Sequence, residues 1–367
     1  MTNTVPFLDV GAACDELRDE IELSIARVLK SGWFILGEEL HAFEHEFADY
    51  VGARYCAGTG SGLDALTMAL RAHDIGPGDE VIVPSNTFIA TWLSVTQVGA
   101  TLVPVDVDSE TYNIDPDLVA RAITSKTRAI IPVHLYGRPA DLDSINAIAQ
   151  AKSIVVIEDA AQAHGAQYKN QKIGSGGNTV AWSFYPGKNL GALGDGGAVT
   201  GDDKHVIERV RILSNYGSSK KYVHEVKGVN SRLDEIQAAV LRQKLTRLDE
   251  WNERRKAIAR KYLNGIENDN IRLPRADMDY DSVWHLFVVK TNERDKLIKH
   301  LTTHGIGFAI HYPICAHRQL AYEDEDFSGF PCPVGEKLQD QVLSLPIGPH
   351  LNTEQVNRIL NVISEYR

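Results

Sequence analysis

A lysine and a carboxylate follow two of the apolar strands predicted for this chain. The strand at 154–157 leads into Glu158 and Asp159, and the strand at 180–185 leads into a Pro-Gly turn that carries Lys188. Ligands of open α/β sheets bind beyond the carboxyl ends of the strands, where both segments are expected. A lysine amine that condenses with an aldehyde and a carboxylate that keeps a pyridine nitrogen protonated are the pair that pyridoxal phosphate (PLP) chemistry needs. Their placement alone leaves PLP binding and an ordinary strand end with a solvated turn both open.

A turn rich in glycine and serine, residues 58–62, lies between a short strand and the start of a helix. Backbone N–H groups at a helix N-terminus bind phosphate with help from the helix dipole. The third glycine of a dinucleotide-binding GxGxxG motif would fall at Leu63, and no Gly-Lys-Ser/Thr follows as in a P-loop. The segment therefore predicts a phosphate site of another type, or a tight strand-to-helix turn without a ligand.

These residues lie in a stretch where short apolar strands alternate with helices. The predicted strands are Glu80–Pro84, 102–105, 129–133, 154–157, 180–185 and 198–200. The predicted helices between them are 87–97, 116–123 and 142–151. Continuous apolar strands joined by helices indicate an α/β fold with a mainly parallel sheet sandwiched by helices.

The last third of the chain predicts a second, smaller unit. Residues 234–263 read as one long charged helix, 284–289 as a strand, and 294–304 and 353–366 as helices. A chain of 367 residues exceeds what one compact core usually supports. We therefore expect a large domain over 1–250, which includes the N-terminal segment, and a small C-terminal α+β domain over 251–367.

Composition narrows the possible partners. The net charge is −11 and the isoelectric point is near 5.6, which argues against binding to nucleic acid or to an anionic membrane. No secretory signal and no apolar stretch long enough to span a bilayer is visible. The 4 cysteines are scattered without a metal-binding or disulfide spacing. We expect a cytoplasmic protein that has reduced thiols and binds no metal.

The chain resembles the sugar aminotransferases of the DegT/DnrJ/EryC1/StrS family, and the likeness runs nearly end to end. The matching motifs, in chain order, are SGWFILG (31–37), GTGSG (58–62), PSNTFIA (84–90), VHLYG (133–137), EDAAQAHG (158–165), SFYPGKNLGALGDGG (183–197), NSRLDE (230–235) and HYP (311–313). So many motifs in one order are highly specific. The resemblance implies the fold of PLP enzymes of fold type I, with PLP as the cofactor.

Four cofactor contacts around the ring follow from the resemblance. Lys188 matches the lysine that forms the Schiff base, and Asp159 matches the partner of the pyridine nitrogen. Gln162 corresponds to the residue that contacts the ring hydroxyl. Phe88 corresponds to the aromatic residue that lies over the ring, although its other interpretation is packing at a helix start.

The cofactor phosphate has its own set of matching residues. Gly60, Ser61 and Ser183 match the phosphate cradle. Asn230 matches a residue that reaches the phosphate from the neighbouring subunit. The resemblance thus implies a homodimer with shared active sites; as a simple turn residue, Asn230 would carry no such implication.

The same resemblance implies the class of substrate and the position that is aminated. Residues 183–197 look like the branch that aminates C3 of dTDP-linked 3-keto-6-deoxyhexoses, because Tyr185 and Gly187 depart from the His-Pro-Val-Lys pattern of enzymes acting at C4. The amino donor is expected to be L-glutamate, with Lys188 moving the proton in a ping-pong reaction. The residues expected to contact the substrate are Tyr185, Tyr216, Lys220, Tyr222, His311, Tyr312 and His317.

Several alternatives stay open at this point. Amination at C4 is one, and the C4 configuration of the sugar is undetermined. A related sugar dehydratase has histidine at the position of Lys188, and a cysteine desulfurase would need an activated Cys315; neither pattern is present. A regulatory protein that holds PLP without turnover is the alternative from another functional class.

Overall fold

The computed structural model describes residues 4–277 and 279–367. Its helices are α1 (Ala12–Glu16), α2 (Arg18–Ser31), α3 (Glu38–Val51), α4 (Gly62–Ala72), α5 (Ala90–Val98), α6 (Pro116–Ala122), α7 (Leu142–Lys152), α8 (Lys204–Ser214), α9 (Glu235–Leu245), α10 (Leu248–Gly265), α11 (Arg294–Thr303), α12 (Pro333–Gln341) and α13 (Thr353–Ser364). Its strands are β1 (Tyr55–Thr59), β2 (Glu80–Pro84), β3 (Thr101–Val105), β4 (Thr127–Ile130), β5 (Val155–Asp159), β6 (Gln167–Tyr168), β7 (Gln171–Lys172), β8 (Thr179–Ser183), β9 (Gly197–Gly201), β10 (Tyr280–Asp281), β11 (Phe287–Lys290) and β12 (Val342–Leu345).

The central sheet has seven strands in the order β1-β9-β8-β5-β4-β2-β3. Strands β2, β3, β4, β5 and β8 run parallel, whereas β9 is antiparallel to both of its neighbours. Alternate residues of β8 enter different cores: Val180 and Trp182 pack with α3 and α9, whereas Ala181 packs with α4. Helices thus cover both faces, and the predicted α/β fold with a mainly parallel sheet is confirmed.

A further core forms around the antiparallel pair of β11 and β12. Phe287 and Leu343 from these strands pack with Tyr262 of α10 and Ile359 of α13. Val5, near the start of the described chain, belongs to the same core. An α+β unit at the C-terminal end is therefore present; its boundary at residue 250 stays a prediction.

Two predicted elements have different limits in the structure. The long helix expected over 234–263 is divided into α9 and α10. The chain turns there from the core of α3 and α9, which holds Leu248, to the core of β11 and β12, which holds Tyr262. No glycine or proline marks the break, so periodicity could not show it. The strand expected over 284–289 begins three residues later, because Trp284 has a left-handed backbone with φ of +47°.

Within the described residues, no helix combines the length and the apolar character that a membrane crossing requires.

Candidate functional site

A cavity of about 720 Å³ lies at the carboxyl ends of β5 and β8. Parallel strands place their following residues at one edge of the sheet, which explains why segments far apart in sequence meet here. Of the residues predicted for the site, the cavity wall includes Ser61, Phe88, Asp159, Gln162, Ser183, Tyr185, Lys188, His311 and Tyr312.

Asp159, the last residue of β5, is a buried carboxylate with hydrogen-bond donors on both oxygens. The Thr91 hydroxyl donates to Oδ2 over 2.9 Å, and the Ala161 N–H donates to Oδ1 over 3.2 Å. Burial raises the pKa of Asp159, and these two bonds together with the charge of Lys188 oppose that rise. A carboxylate that is costly to ionise gains most from a cation placed against it, and a protonated pyridine nitrogen would be such a cation.

Lys188 lies in the turn after β8, on the wall of the same cavity. Its backbone N–H donates to the Tyr185 carbonyl over 2.8 Å, which closes the turn. Burial lowers the pKa of Lys188 to about 8, although the charge of Asp159 acts in the opposite direction. An appreciable fraction of the amine is therefore neutral near physiological pH, as attack on an aldehyde requires.

Gln162 connects the cavity to the C-terminal part of the chain. Its Oε1 accepts from the Tyr136 N–H over 2.6 Å, and its Nε2 donates to the Tyr312 hydroxyl over 3.0 Å. The second hydrogen of Nε2 is left for a ligand. The Tyr312 ring lies 5.7 Å from that of Phe88, so two aromatic rings stand together beside the amide.

The start of α4 offers a phosphate cradle. Ser61 caps the helix, because its hydroxyl accepts from the Asp64 N–H over 3.1 Å. Among the described residues, the Gly62 and Leu63 N–H groups have no acceptor. A Cβ on Gly62 would lie 2.6 Å from the Ser183 Cβ, so only glycine allows this close approach. Free N–H groups at a helix N-terminus beside a serine hydroxyl fit a phosphate.

Several predicted residues do not reach this cavity within one chain. They are Gly60, Tyr216, Lys220, Tyr222, Asn230 and His317. Their expected contacts stay predictions, and the structure shows where each group lies instead.

Gly60 and His317 are committed to other contacts. The Gly60 N–H donates to the Ser231 hydroxyl over 2.9 Å, so the tight approach at this position serves the chain itself. His317 is partly buried, with Nε2 3.1 Å from a Glu336 oxygen and its ring against Trp92. Histidine spacing in the sequence could not separate such a packed residue from a ligand contact.

The others lie on an exposed segment after α8. Tyr222 is 83% exposed, and Tyr216 is half exposed. Lys220 and Asn230 are also on the surface. A residue that serves the cavity of a second copy would have this placement.

Sequence reasoning missed Thr91, Asp195 and His285, as well as Phe7 and Leu8, all of which contact Asp159 or line the cavity. Thr91 had a weak signal in the sequence, because it follows Thr87 by one helical turn. In the structure the two hydroxyls are 2.8 Å apart. Phe7 and Leu8 had no such signal in the sequence. Pairing of Val5 with Ile306 brings that segment to the site, and local sequence does not encode this contact.

Taken together, the buried carboxylate, the lysine with a lowered pKa, the free amide hydrogen and the open helix N-terminus fit the ring nitrogen, aldehyde, hydroxyl and phosphate of PLP. The residues present are thus compatible with that cofactor.

Known proteins resemble the chain over its whole length. It is 52% identical over 366 residues to the dTDP-3-amino-3,4,6-trideoxy-alpha-D-glucose transaminase of Streptomyces venezuelae, covering 100% of this chain and 97% of the relative. It is 51% identical over 362 residues to the dTDP-3-amino-3,6-dideoxy-alpha-D-galactopyranose transaminase of Aneurinibacillus thermoaerophilus, covering 99% of each. The crystal structure of S. venezuelae DesV in complex with a ketimine intermediate is similar with a TM-score of 0.97 and 52% identity, covering 99% of this chain and 98% of that one.

The DegT/DnrJ/EryC1/StrS aminotransferase family matches residues 15–364. That span contains the central sheet, the β11–β12 pair and every cavity residue named above except Phe7 and Leu8. The chain belongs to the DegT/DnrJ/EryC1/StrS aminotransferase family.

Proposed function

We propose that the protein binds PLP in this cavity and transfers an amino group from L-glutamate to the C3 keto group of a dTDP-linked 3-keto-6-deoxyhexose, in the cytoplasm, for deoxyamino-sugar biosynthesis. The observation that carries the proposal is the presence of Lys188 and the buried Asp159 on the wall of one large cavity. The high similarity to two enzymes that are named for 3-amino sugars supports the position of amination.

Each residue has a task in this reaction. When bound, PLP supplies an aldehyde and an electron-accepting ring. Lys188 Nζ binds the aldehyde and, once released, holds and moves the proton exchanged at the reacting carbons. Asp159 holds a proton at the ring nitrogen, because the ionised carboxylate is most stable beside a cation. Ser61 and the α4 N-terminus hold the phosphate.

Amino transfer to defined nucleotide sugars tests the proposal. Protein loaded with PLP should lose its visible absorption band on addition of L-glutamate, and addition of dTDP-3-keto-6-deoxyglucose should restore the band and yield a 3-amino sugar identified by NMR. A panel with C4-keto and UDP-linked substrates serves as the control. Faster turnover of a C4-keto sugar would favour amination at C4, and PLP binding without any turnover would favour the regulatory alternative.

An exposed apolar run next to α9 supports a homodimer. Trp33, Phe34 and Ile35 are 62%, 48% and 38% exposed. Exposed apolar patches of this kind mark interaction sites. The run is fixed on α9, because the Glu235 carboxylate accepts from the Gly37 N–H over 2.7 Å. Helix α9 also holds the backbone at residue 193, two residues before the cavity wall at 195.

The charge of the cavity indicates what a second copy would add. Among the described residues on its wall, the charged side chains are Lys188, Asp159 and Asp195. In the proposed reaction Lys188 binds the cofactor aldehyde, so these side chains leave no cation for the phosphate of PLP or for a nucleotide diphosphate, which are polyanions. The exposed segment after α8 carries Lys220 and Lys227 on the surface, and it is available to a neighbouring cavity.

A subunit-mixing experiment tests the shared site. Lys188→Ala and Asn230→Ala homodimers should each be impaired, because every site would lack one of the two residues. Mixed and refolded together, they should recover up to about a quarter of native activity, since half the dimers would be heterodimers with one intact site. Activity of the mixture equal to the average of the two parents would contradict a site that spans two subunits.

A further inference from the structure

His285 lines the cavity and is held by the residue next to Lys188. Its Nδ1 lies 3.0 Å from Oδ1 of Asn189. The imidazole shares the cavity wall with Lys188 and Asp159. No motif in the sequence singled it out, and the amino-transfer steps described above do not use it.

The orientation of the Asn189 amide fixes the hydrogen on this ring. Its Nδ2 lies 3.1 Å from the Val283 carbonyl and 2.9 Å from Oδ1 of Asn252. A backbone carbonyl can only accept, so the amide nitrogen must be on that side and the amide oxygen must face His285. The bond at His285 therefore needs a hydrogen on Nδ1.

The other ring nitrogen is open to a ligand. Nε2 of His285 makes no hydrogen bond to the described residues, and it is not among their sealed polar atoms without a partner. A neutral imidazole with its hydrogen on Nδ1 has a lone pair on Nε2. The cavity wall that carries the reacting lysine thus also presents an uncharged acceptor at His285.

The surroundings keep this imidazole neutral. Burial, followed by the positive charges of Lys188 and Arg255, holds the pKa of His285 well below its usual range. Arg255 is itself buried and donates to the carbonyls of Trp284, His285 and Ile347 over 3.3, 3.4 and 3.3 Å. Nε2 therefore remains an acceptor at neutral pH.

The backbone around the imidazole is held in a costly conformation. Trp284 has φ of +47°, a region that bulky residues rarely occupy. The Val283 and Leu286 N–H groups donate to the carbonyls of the 136–137 turn, which keeps the segment in place. Strain that neighbouring bonds maintain is concentrated at ligand sites, so it supports a ligand role for His285.

We propose that Nε2 of His285 positions the acceptor sugar by accepting a hydrogen bond from a ring hydroxyl next to the aminated carbon. This rests on the proposed function and specifies its substrate further. Beyond its reacting amine, L-glutamate carries two carboxylates, which accept hydrogen bonds but donate none. A sugar hydroxyl does donate. The open acceptor therefore suits the sugar and not the amino donor.

Two variants separate this role from a structural one. In His285→Asn, the side-chain amide can still donate to Asn189, but the acceptor at the Nε2 position is lost. In His285→Gln, the longer side chain can return an amide oxygen to that position. A purely structural role predicts that asparagine is the better replacement, whereas the proposal predicts glutamine.

The two half-reactions of the PLP-loaded protein are then measured separately. His285→Asn should leave the glutamate half-reaction within about twofold of native and lower kcat/KM for dTDP-3-keto-6-deoxyglucose about tenfold, the effect of one hydrogen bond. His285→Gln should recover most of that loss. In calorimetry, His285→Asn should bind dTDP-3-amino-3,6-dideoxyglucose about tenfold more weakly than native protein does. For an analogue that lacks the contacted hydroxyl at C2 or C4, the two proteins should have the same affinity.

The remaining outcomes are also decisive. Equal losses in both half-reactions, or a stronger defect in His285→Gln than in His285→Asn, would overturn the positioning role. ¹⁵N NMR of histidine-labelled protein would also overturn it by showing the hydrogen of His285 on Nε2. If native protein aminates keto-sugars and His285→Asn does so equally well, the inference fails and the proposed function stands. If native protein aminates no nucleotide sugar, both fail.

Discussion

Replacing Lys188 by alanine should reduce amino transfer by about four orders of magnitude or more, because the change removes both the nucleophile and the proton carrier. The fold should persist. Burial lowers the pKa of this lysine to about 8, which means that its ammonium form is unfavourable inside the protein. Loss of the side chain therefore removes a cost as well as contacts, and the melting temperature of the apoprotein should change little.

Steady-state amino transfer and borohydride labelling check this result together. In native protein, borohydride should fix the cofactor to the peptide that contains Lys188, and in Lys188→Ala no peptide should be labelled. Lys296→Ala is the matched control, since that lysine is 56% exposed on α11 and pairs with Glu293. Labelling of another lysine, or substantial turnover by Lys188→Ala, would refute the assigned role.

The lowered pKa of Lys188 also predicts the pH dependence of cofactor capture. Attack on an aldehyde needs the neutral amine, whose fraction increases as pH rises through the pKa. The rate at which apoprotein captures PLP should therefore rise with pH, with a midpoint near the pKa of about 8. A stopped-flow series from pH 6 to about 11.5 measures it, with Nα-acetyl-lysine amide as the reference, whose side-chain midpoint lies near 10.4. A midpoint equal to that of the reference would mean that burial does not act on this amine.

The sequence was sufficient for the features that are encoded locally. The strand at Glu80–Pro84 was predicted to the residue, because a continuous apolar run bounded by turn signals has few other interpretations. The positions of Asp159 and Lys188 at one edge followed from the rule for parallel strands. Such features depend on neighbours in the chain and on one general property of α/β sheets.

The rest of the site depends on contacts between distant segments. Thr91 is bonded to Asp159 across 68 positions, and the imidazole of His285 meets Asn189 across 96. Nothing near either residue in the sequence encodes its partner. Similarly, the resemblance predicts a phosphate contact for Gly60, and the motif did not indicate that its N–H donates to the Ser231 hydroxyl. Motif spacing identifies residue types, and only tertiary packing decides which groups remain free for a ligand.

Asp159→Asn should lower amino transfer roughly 10³-fold, since loss of the partner of a buried charge costs about 3–5 kcal/mol. The amide oxygen can still accept from Thr91 or from the Ala161 N–H, so the shape of the site should persist. What disappears is the negative charge that holds a proton at the cofactor ring nitrogen. Kinetics with saturating PLP isolate this effect from weaker cofactor binding.

The apoprotein should respond in the opposite direction, which distinguishes a charge effect from a folding defect. Burial raises the pKa of Asp159 in the folded protein above its unfolded value. The folded state thus binds this proton more tightly, and stability falls as pH rises from the unfolded pKa of Asp159 through its raised pKa in the folded state. Asp159→Asn has no such loss, so its melting temperature without PLP should equal or exceed that of native protein at neutral pH.

Thr91→Val, which removes one hydrogen bond and keeps the charge, should lose about tenfold in activity. Near-native rates in Asp159→Asn, or a larger loss in Thr91→Val, would mean that the carboxylate does not act through its charge.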